Sequence, residues 1–491
     1  MKKILSLSLA ALAFLTALAQ TPPYIRTTMI SNLAYPVAFT FTPDGRYLIT
    51  HKPGQISMYS PAGTFMNTFY DMSDSTYNVG ERGLLGIEID PNYANNGYVY
   101  VYYNHRCCVS TSQTGQQYAR IVRFTEAGNV GTNPTIIFEQ PYGNIPGFHV
   151  GGNLRFRPSE PDKIYFTMGD FSVMANAQLL SNPYGKVLRI NTDGTIPADN
   201  PFYDDGNPFT GNDDRIWDYG HRNHFDLCAS TINDSLYYSE NGTSPNNMGE
   251  DEAGIIIKGA NNGWATCEGF DNYGSNNPCT FSSSLLPIAE FPPVNNTMPA
   301  VTGILVYNGT AFPTLVGHLL VADVNFGRIS DITLGNAPYY DTAVSNVVWD
   351  DFVTGAGFTT IKQGSNGCIY ALEAPYSTTM RLHRICPTVM PGMGEPAEPR
   401  FSLDEVYPNP ASGNFSVRLT MEKEARISVE LFDVSGISVA VLADELHPAG
   451  TFSLHTDLGL SGGIYFVKLN VLDPNGPQTI YTQTLKLVVV R

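Results

Sequence analysis

A turn followed by an alternating aromatic-aliphatic strand recurs six times along this chain. Each copy opens on Pro, Gly, Asp, Asn or Ser and continues through residues such as Tyr, Ile, Val and Leu, the pattern of a tight turn entering a strand. Copies separated by roughly 50–80 residues predict the blades of a β-propeller. A β-sandwich or a pair of barrels would not repeat one turn-strand unit six times. The copies are P-D-G-R-Y-L-I-T at Pro43, N-N-G-Y-V-Y-V-Y-Y at Asn95, P-D-K-I-Y-F-T-M-G-D at Pro161, N-D-S-L-Y-Y-S-E at Asn233, G-H-L-L-V-A-D at Gly317 and S-N-G-C-I-Y-A-L-E at Ser365.

The length of the chain requires more than this one domain. Its 491 residues indicate two or three domains, and a hydrophobic share of 43% is ample for packed cores. Residues 387–400 contain four prolines and no apolar periodicity, so we expect a semi-rigid linker there. The predicted fold class is all-β, with a six-bladed β-propeller over residues 20–386 and a small β-sandwich C-terminal domain over residues 401–491.

The first 19 residues have the features of a signal peptide. Lys2 and Lys3 form the charged region, residues 4–18 the apolar run, and Ala17-Leu18-Ala19 a cleavage site. Cleavage removes two cationic residues, so the formal net charge of −17 becomes −17 − 2 = −19. Because phosphates require a basic protein surface, this acidity argues against a nucleic-acid partner.

All seven cysteines follow the predicted signal peptide, in a compartment where disulfides can form. Their spacing matches no zinc motif, and an odd number leaves at least one thiol unpaired. The sequence does not determine the connectivity. The candidate pairs are Cys267 with Cys279, Cys368 with Cys386, and Cys107 or Cys108 with Cys228.

Two loop motifs carry residues suited to catalysis. In F-H-V-G-G-N-L, His149 precedes two glycines that let a ligand approach the backbone closely. An imidazole titrates near neutral pH and is therefore suited to taking a proton. In Y-G-H-R-N, the guanidinium of Arg222 adjoins the amide of Asn223, a pair able to grip a carbonyl or a carboxylate.

These motifs, with G-E-R-G-L-L-G at Gly80 and G-A-N-N-G-W at Gly259, resemble the glucose/sorbosone dehydrogenase family. Its members are soluble six-bladed propellers that use pyrroloquinoline quinone (PQQ) and calcium. The resemblance covers roughly residues 28–375 of the chain.

The resemblance implies a role for each residue of the two loop motifs. His149 matches the general base of the family, and Arg222 and Asn223 match the residues that contact the quinone near its reactive carbonyl. The alternatives are a solvated loop histidine and, for Arg222, an ion pair with Asp218 or Asp226.

The segments S-E-N-G-T at Ser239 and G-E-D-E at Gly249 stand where the family has its calcium and cofactor loop. Calcium takes six to eight oxygen ligands, many of them backbone carbonyls and waters. An acidic surface loop is the alternative. The ligands that the resemblance implies are Gly242, Thr243, Asp251 and Glu252.

PQQ carries three carboxylates, and a site for it needs cations. Members of the family that bind it tightly offer a lysine in the fifth blade and an arginine pair at the start of the sixth. Here Asn325 and the Phe358-Thr359 pair occupy those positions. Arg328 and Lys362 are the nearby cations, one residue or more out of register, and are the predicted cofactor contacts beside Arg222 and Asn223.

The last segment of the chain resembles the type A C-terminal sorting domain of the type IX secretion system. It opens with V-Y-P-N-P-A-S-G-N at Val406 and ends with K-L-V-V-V-R. The resemblance implies the type IX secretion machinery as a partner and a secreted or cell-surface protein. An immunoglobulin-like stalk or a carbohydrate-binding module is the alternative.

Three functions are compatible with these motifs. The first is an exported PQQ- and calcium-dependent dehydrogenase of the aldose type, which oxidises a sugar or other polyol and passes electrons to an unidentified acceptor. The second is a non-catalytic surface propeller that binds a glycan or a protein, as hedgehog-interacting members of the family do. The third, a calcium-dependent lactonase-like hydrolase, needs carboxylates converging on a central metal, and the sequence shows no such set.

Overall fold

The protein is described by a computed structural model, in which the chain divides into two compact units, Met1–Thr388 and Val389–Arg491. The predicted signal peptide, the cysteines at 107 and 108, and residues 389–400 of the predicted linker lie outside the described residues. The described residues are 24–106, 117–142, 146–243, 249–335, 340–351, 357–373, 380–388, 401–421, 424–472 and 479–490.

The described part of the first unit contains six four-stranded antiparallel sheets, which confirms the propeller. The first strands of neighbouring sheets contact one another and so surround the centre. The blades, in order, are β2 (Pro36–Phe41), β3 (Tyr47–His51), β4 (Gln55–Tyr59), β5 (Phe65–Asp71); β6 (Leu84–Ile89), β7 (Tyr98–Arg106), β8 (Gln117–Ala127), β9 (Val130–Tyr142); β10 (Leu154–Arg157), β11 (Glu160–Met168), β12 (Lys186–Asn191), β13 (Ile216–Tyr219); β14 (His224–Ala229), β15 (Leu236–Glu240), β16 (Asp251–Ile256), β19 (Ala289–Phe291); β20 (Val301–Val306), β21 (Leu319–Asp323), β22 (Arg328–Leu334), β23 (Ala343–Asp351); and β24 (Phe358–Gln363), β25 (Ile369–Glu373), β26 (Met380–Pro387), with β1 (Tyr24–Leu33) as the last strand.

Each of the six sequence repeats forms the second strand of its blade: β3, β7, β11, β15, β21 and β25. All five residues of β3, β15, β21 and β25 are buried, because these strands have neighbours on both edges and both faces. Short elements outside the blades are α1 (Tyr93–Asn96), the strand pair β17 (Cys267–Glu268) and β18 (Asp271–Asn272), and 3-10 turns at Ser73–Ser75, Met174–Gln178 and Pro313–Leu315.

The ring is closed by pairing the two ends of the first unit. Strand β1 runs antiparallel to β26, with Tyr24 opposite Pro387 and Leu33 opposite Met380. Arg26 and Tyr24 both donate hydrogen bonds to the carboxylate of Asp350 in the fifth blade. The sixth blade is thus assembled from residues more than 300 positions apart in the chain.

Two of the predicted disulfides are confirmed, because Cys267 bonds Cys279 and Cys368 bonds Cys386. The predicted pairing of Cys228 with Cys107 or Cys108 is wrong. Cys228 is a free thiol, and its burial on β14 raises its pKa to about 12.

The second unit is a sandwich of two antiparallel sheets, as predicted. Buried residues alternate with less buried ones along β28, where Phe415, Val417 and Leu419 face the core. Among the described residues, no helix combines the length and apolar character that crossing a membrane requires. The sheets are β27 (Phe401–Tyr407), β28 (Asn414–Met421), β31 (Gly450–Asp457), and β30 (Ser438–His447), β29 (Ala425–Asp433), β32 (Gly463–Leu472), β33 (Thr479–Val489).

Candidate functional site

A cavity of about 320 Å³ opens at the centre of the propeller, where the second strands end and the first strands begin. Every blade contributes to its wall, so its position follows from the closure of the ring. One lining residue from each blade, in order, is Val37, Leu85, Gly151, Asn223, Thr302 and Thr359.

His149 lies in the loop that leads to this wall and has a positive φ of 55°, an uncommon backbone conformation for a residue with a side chain. Its Nδ1 lies 2.7 Å from Oδ1 of the buried Asp170, whose Oδ2 accepts a hydrogen bond from Trp264 Nε1 at 2.9 Å. The backbone N–H of His149 donates to Glu81 Oε2. No described residue bonds His149 Nε2, so the imidazole is oriented through one nitrogen and leaves the other for a ligand.

The segment around Asp170 holds the two predicted motifs together. The backbone N–H of Asp170 donates to the carbonyl of Arg222 at 2.8 Å, and that of Phe171 donates to the carbonyl of His149 at 3.2 Å. A Cβ on Gly169 would lie only 2.2 Å from the His149 oxygen and 2.9 Å from the Arg222 oxygen. Only glycine therefore permits this close approach of three backbone segments.

The structure excludes the ion pairs considered for Arg222, because Asp218 contacts His221 and Asp226 pairs with Arg155. The Arg222 guanidinium instead donates to the carbonyl of Asn241 at 2.7 Å. It also lies over the indole ring of Trp264, with its central carbon 5.7 Å from the ring centre.

Asn223, which lines the cavity, is held by Glu240. The carboxylate of Glu240 accepts the backbone N–H groups of both Arg222 and Asn223 through Oε1, and contacts His221 Nδ1 through Oε2 at 2.7 Å. Although burial opposes a charge on His221, the carboxylates of Asp218 and Glu240 raise its pKa to about 10. The two carboxylates therefore favour the imidazolium form of His221, which anchors the loop that carries both predicted residues.

The predicted calcium ligands divide into two groups. Gly242 and Glu252 line a small cavity of about 10 Å³ beside Arg222, together with Glu240 and Glu268. This is room for about one water-sized particle or one ion. Burial raises the pKa of Glu252 and that of Glu268, although the charges of His221 and Arg222, respectively, act in the opposite direction.

Thr243 and Asp251 face other partners. The oxygens of Asp251 accept hydrogen bonds from Gly242 N at 2.9 Å, Asn241 Nδ2 at 3.1 Å and Val301 N at 2.7 Å. Thr243 donates its hydroxyl to Glu268, one of the carboxylates that line the small cavity. The structure thus places Asp251 as a link between blades four and five, away from the small cavity.

The structure does not bring Arg328 or Lys362 to the central cavity. Arg328 lies on the outer side of blade five, with Nε 3.5 Å from Asp351. Lys362 lines a separate cavity of about 380 Å³ and bonds Glu88 at 2.6 Å. A strand advances about 3.3 Å per residue, so Lys362 lies about 10 Å along β24 from Thr359, which does line the central cavity.

Lys52 supplies a cation that the sequence motifs did not reveal. It is the one Lys or Arg among the described residues that line the central cavity, and its Nζ donates to the carbonyl of Gly80. Lys52 follows β3 directly, as Asn241 follows β15 and Val324 follows β21, and all three line the cavity. This shared position after a second strand is apparent only once the strands have been placed in their blades.

Comparisons with known proteins give matches for both units of the chain. Residues 33–381 match the sequence profile of Glucose / Sorbosone dehydrogenase, and residues 405–481 match that of the Secretion system C-terminal sorting domain. Quinoprotein glucose dehydrogenase B of Acinetobacter calcoaceticus is 30% identical over 280 residues, covering 52% of this chain and 55% of that protein. Aldose sugar dehydrogenase YliI of Escherichia coli K12 is 26% identical over 301 residues, covering 61% and 77%.

A solved structure confirms the fold of the first unit. The PQQ-bound form of aldose sugar dehydrogenase from Streptomyces coelicolor matches with a TM-score of 0.55 and 22% identity, covering 74% of this chain and 100% of that one. The tail is a sorting domain, and it directs the protein through type IX secretion to the cell surface or the exterior.

Proposed function

The chain belongs to the glucose/sorbosone dehydrogenase family, and from that premise we propose that it is an exported dehydrogenase that oxidises a sugar hydroxyl with PQQ and calcium. The observation that carries the proposal is the Trp264–Asp170–His149 chain of hydrogen bonds beside a cavity that all six blades line. A histidine oriented by a buried carboxylate is suited to general-base catalysis.

The residues of the central cavity fit PQQ. Its wall combines the apolar side chains of Val37 and Leu85 with amides and hydroxyls able to bond a polar, planar ligand. Asn153 lines the cavity with a buried Oδ1 that has no described hydrogen-bond partner. Lys52 supplies a cation for one carboxylate of the cofactor.

When bound, PQQ supplies the two-electron acceptor for this class of oxidation. His149 Nε2 would take the proton of the sugar hydroxyl, while Asp170 holds the ring in place and stabilises the imidazolium that forms. Arg222 and Asn223 would bind the oxygen-rich edge of the cofactor through N–H groups.

Calcium fits the small cavity beside Arg222. The carbonyl of Gly242 and the carboxylates of Glu252 and Glu268 would provide oxygen ligands, and the charge of the ion would lower the cost of burying these acids. Of the four ligands implied by the sequence, the proposal therefore keeps Gly242 and Glu252 and drops Thr243 and Asp251.

Calorimetric titration of PQQ into the full chain, with calcium and then with chelator, tests the proposal. We expect calcium-dependent binding, weakened at least tenfold in Lys52→Met but unchanged in the control Lys163→Met, which lies on β11 outside the cavity. His149→Ala should keep PQQ binding and lose about 10²–10⁴-fold in kcat, the usual contribution of a general base. Full activity of His149→Ala would refute the assigned role.

One observation favours a second function. Lys52 is a single cation for a cofactor with three carboxylates, and a non-catalytic propeller that binds a glycan or a protein needs none. Absence of PQQ binding with calcium present would select this second function and remove the first.

A further inference from the structure

The loop between β12 and β13 brings together a second set of carboxylates, on residues that do not line the central cavity. Side-chain oxygens of Asp204, Asp205 and Asp214 all lie within 4.8 Å of one another. Asp204 and Asp205 are exposed, whereas Asp214 is fully buried at the base of the loop.

Asp214 has an oxygen that the protein itself does not satisfy. Its Oδ1 accepts the backbone N–H of Asp204, but no described residue donates a hydrogen bond to its buried Oδ2. The adjacent cation, Arg215, is engaged by Asp213 at 2.6 Å and by Gln140 at 2.7 Å. A buried acceptor without a partner is costly, and the two nearby carboxylates add repulsion, so a cation bound among the three would be stabilising.

Hydrogen bonds within the loop fix the positions of the two exposed carboxylates, Asp204 and Asp205. Asp205 accepts the N–H of Asn207 at 2.8 Å and the hydroxyl of Thr210 at 2.6 Å, and Asp204 accepts the N–H of Asn212 at 2.9 Å. These bonds use part of the lone pairs on each carboxylate and leave the others for a ligand.

The chemistry of the cluster favours calcium. Calcium takes six to eight oxygen ligands in a flexible geometry, whereas magnesium demands near-ideal octahedral geometry and keeps several of its waters. Three carboxylates with no nitrogen or sulfur ligand also disfavour zinc.

We propose that Asp204, Asp205 and Asp214 bind a calcium ion distinct from the one assigned to the cavity beside Arg222. The ion completes the coordination of Asp214 and fastens the exposed loop of residues 200–214 to the start of β13 (Ile216–Tyr219). That strand leads directly into the loop of Arg222 and Asn223, but the calcium site itself requires neither PQQ nor substrate.

Calcium titration of the chelator-treated full chain, followed by calorimetry, counts the sites. We expect Asp214→Asn to lose one calcium equivalent, and Asp205→Asn, whose side chain is exposed, to weaken that same equivalent at least tenfold. Asp193→Asn, in an exposed turn of the same blade, is the matched control and should bind as the wild type does. Glu252→Gln should leave this equivalent in place, because it alters only the other cavity.

Terbium luminescence provides a local readout, since Tyr203 lies in the same loop and can sensitise a lanthanide bound there. Tyr203 directly precedes Asp204 in the chain. Tyr203→Phe should remove the sensitised signal while the calcium stoichiometry stays unchanged. The proposal is overturned if Asp205→Asn and Asp214→Asn bind calcium with the stoichiometry and affinity of the wild type, or if magnesium competes equally at this site.

Discussion

Asp170 contacts three groups: the ring of His149 and the indole of Trp264, which are distant in sequence, and the backbone N–H of the nearby Ser172. A carboxylate can accept from all three at once. An amide has a single acceptor oxygen, so it cannot serve both the imidazole and the indole.

Asp170→Asn is therefore expected to lower kcat by about 10²-fold or more, with little change in KM, because the imidazole loses its orientation and its counter-charge. Steady-state kinetics against pH measures this effect, and the acidic limb of the profile should move. Asp193→Asn serves as a control that keeps the wild-type rate. An unchanged kcat in Asp170→Asn would show that Asp170 does not contribute to catalysis.

His221 links the loop of Arg222 and Asn223 to the stability of the fold. Its pKa of about 10 lies above the unfolded value of about 6.5, so the stabilisation is complete below pH 6.5 and is lost as the pH rises through 10. His221→Asn leaves Asp218 and Glu240 without their cation, which should cost about 3–5 kcal/mol at pH 6.5.

Urea unfolding at pH 6.5 and at pH 10 measures this contribution, and the difference between variant and wild type should shrink at the higher pH. His318→Asn provides the comparison, because His318 pairs with Asp331 near the surface and should cost less than about 1 kcal/mol. If His221→Asn lowers the free energy of unfolding equally at both pH values, the imidazolium is not the source of the stabilisation.

Single residues of the candidate site could be proposed from the sequence only where a motif carries them. His149, Arg222 and Asn223 stand in recognisable loops, and the structure brings those loops together. Asp170 and Lys52 could not be assigned in the same way, since their roles depend on partners 21 and 28 positions away. Partner choice across space leaves no local pattern in a sequence.

At the scale of elements, β1 closes the propeller by adding an edge strand to the sixth blade. One side of β1 pairs with β26, and its inward side chains join the core. Ile30 on this strand is 4% exposed, whereas Ile25 is 53% exposed.

Ile30→Ala should lower the free energy of unfolding by about 2–4 kcal/mol, the range for truncating a buried aliphatic side chain. Ile25→Ala, a change of the same size on the same strand, should cost less than about 1 kcal/mol. Chemical unfolding of both variants checks the comparison. Equal losses of unfolding free energy in the two variants would mean that burial of Ile30 does not stabilise β1.

Strand register explains which elements the sequence predicted well. The second strands are buried and carry a dense aromatic-aliphatic pattern, so all six were found. Arg328 and Lys362 were predicted as cofactor contacts because they lie close in sequence to the positions where the family has its cations. A residue three places along a strand lies about 10 Å away, which is enough to move Lys362 to another cavity.

At the scale of the whole molecule, the two units have separate cores. In the described part of the chain, the core of the second unit draws only on residues between Phe401 and Val489. A chain ending at Thr388 should therefore keep the thermal midpoint of the propeller within about 3 °C, because about 1 kcal/mol shifts a large domain by that amount.

Calorimetry of the shortened chain tests this, with the cell fraction that contains it as a second readout. The propeller should fold and yet fail to reach the cell exterior, since the sorting domain is missing. A large fall in the thermal midpoint would show that the tail also stabilises the propeller.

The sequence by itself determined the all-β class, the six blades, the separate tail and the loops of the candidate catalytic residues, because each is written in local periodicity or in a short motif. Only the tertiary structure decided that β1 completes the last blade, that Lys52 rather than Lys362 faces the central cavity, and that Asp170 orients His149. These depend on closing a ring, which brings distant segments within hydrogen-bonding distance and sets each side chain in one cavity or another.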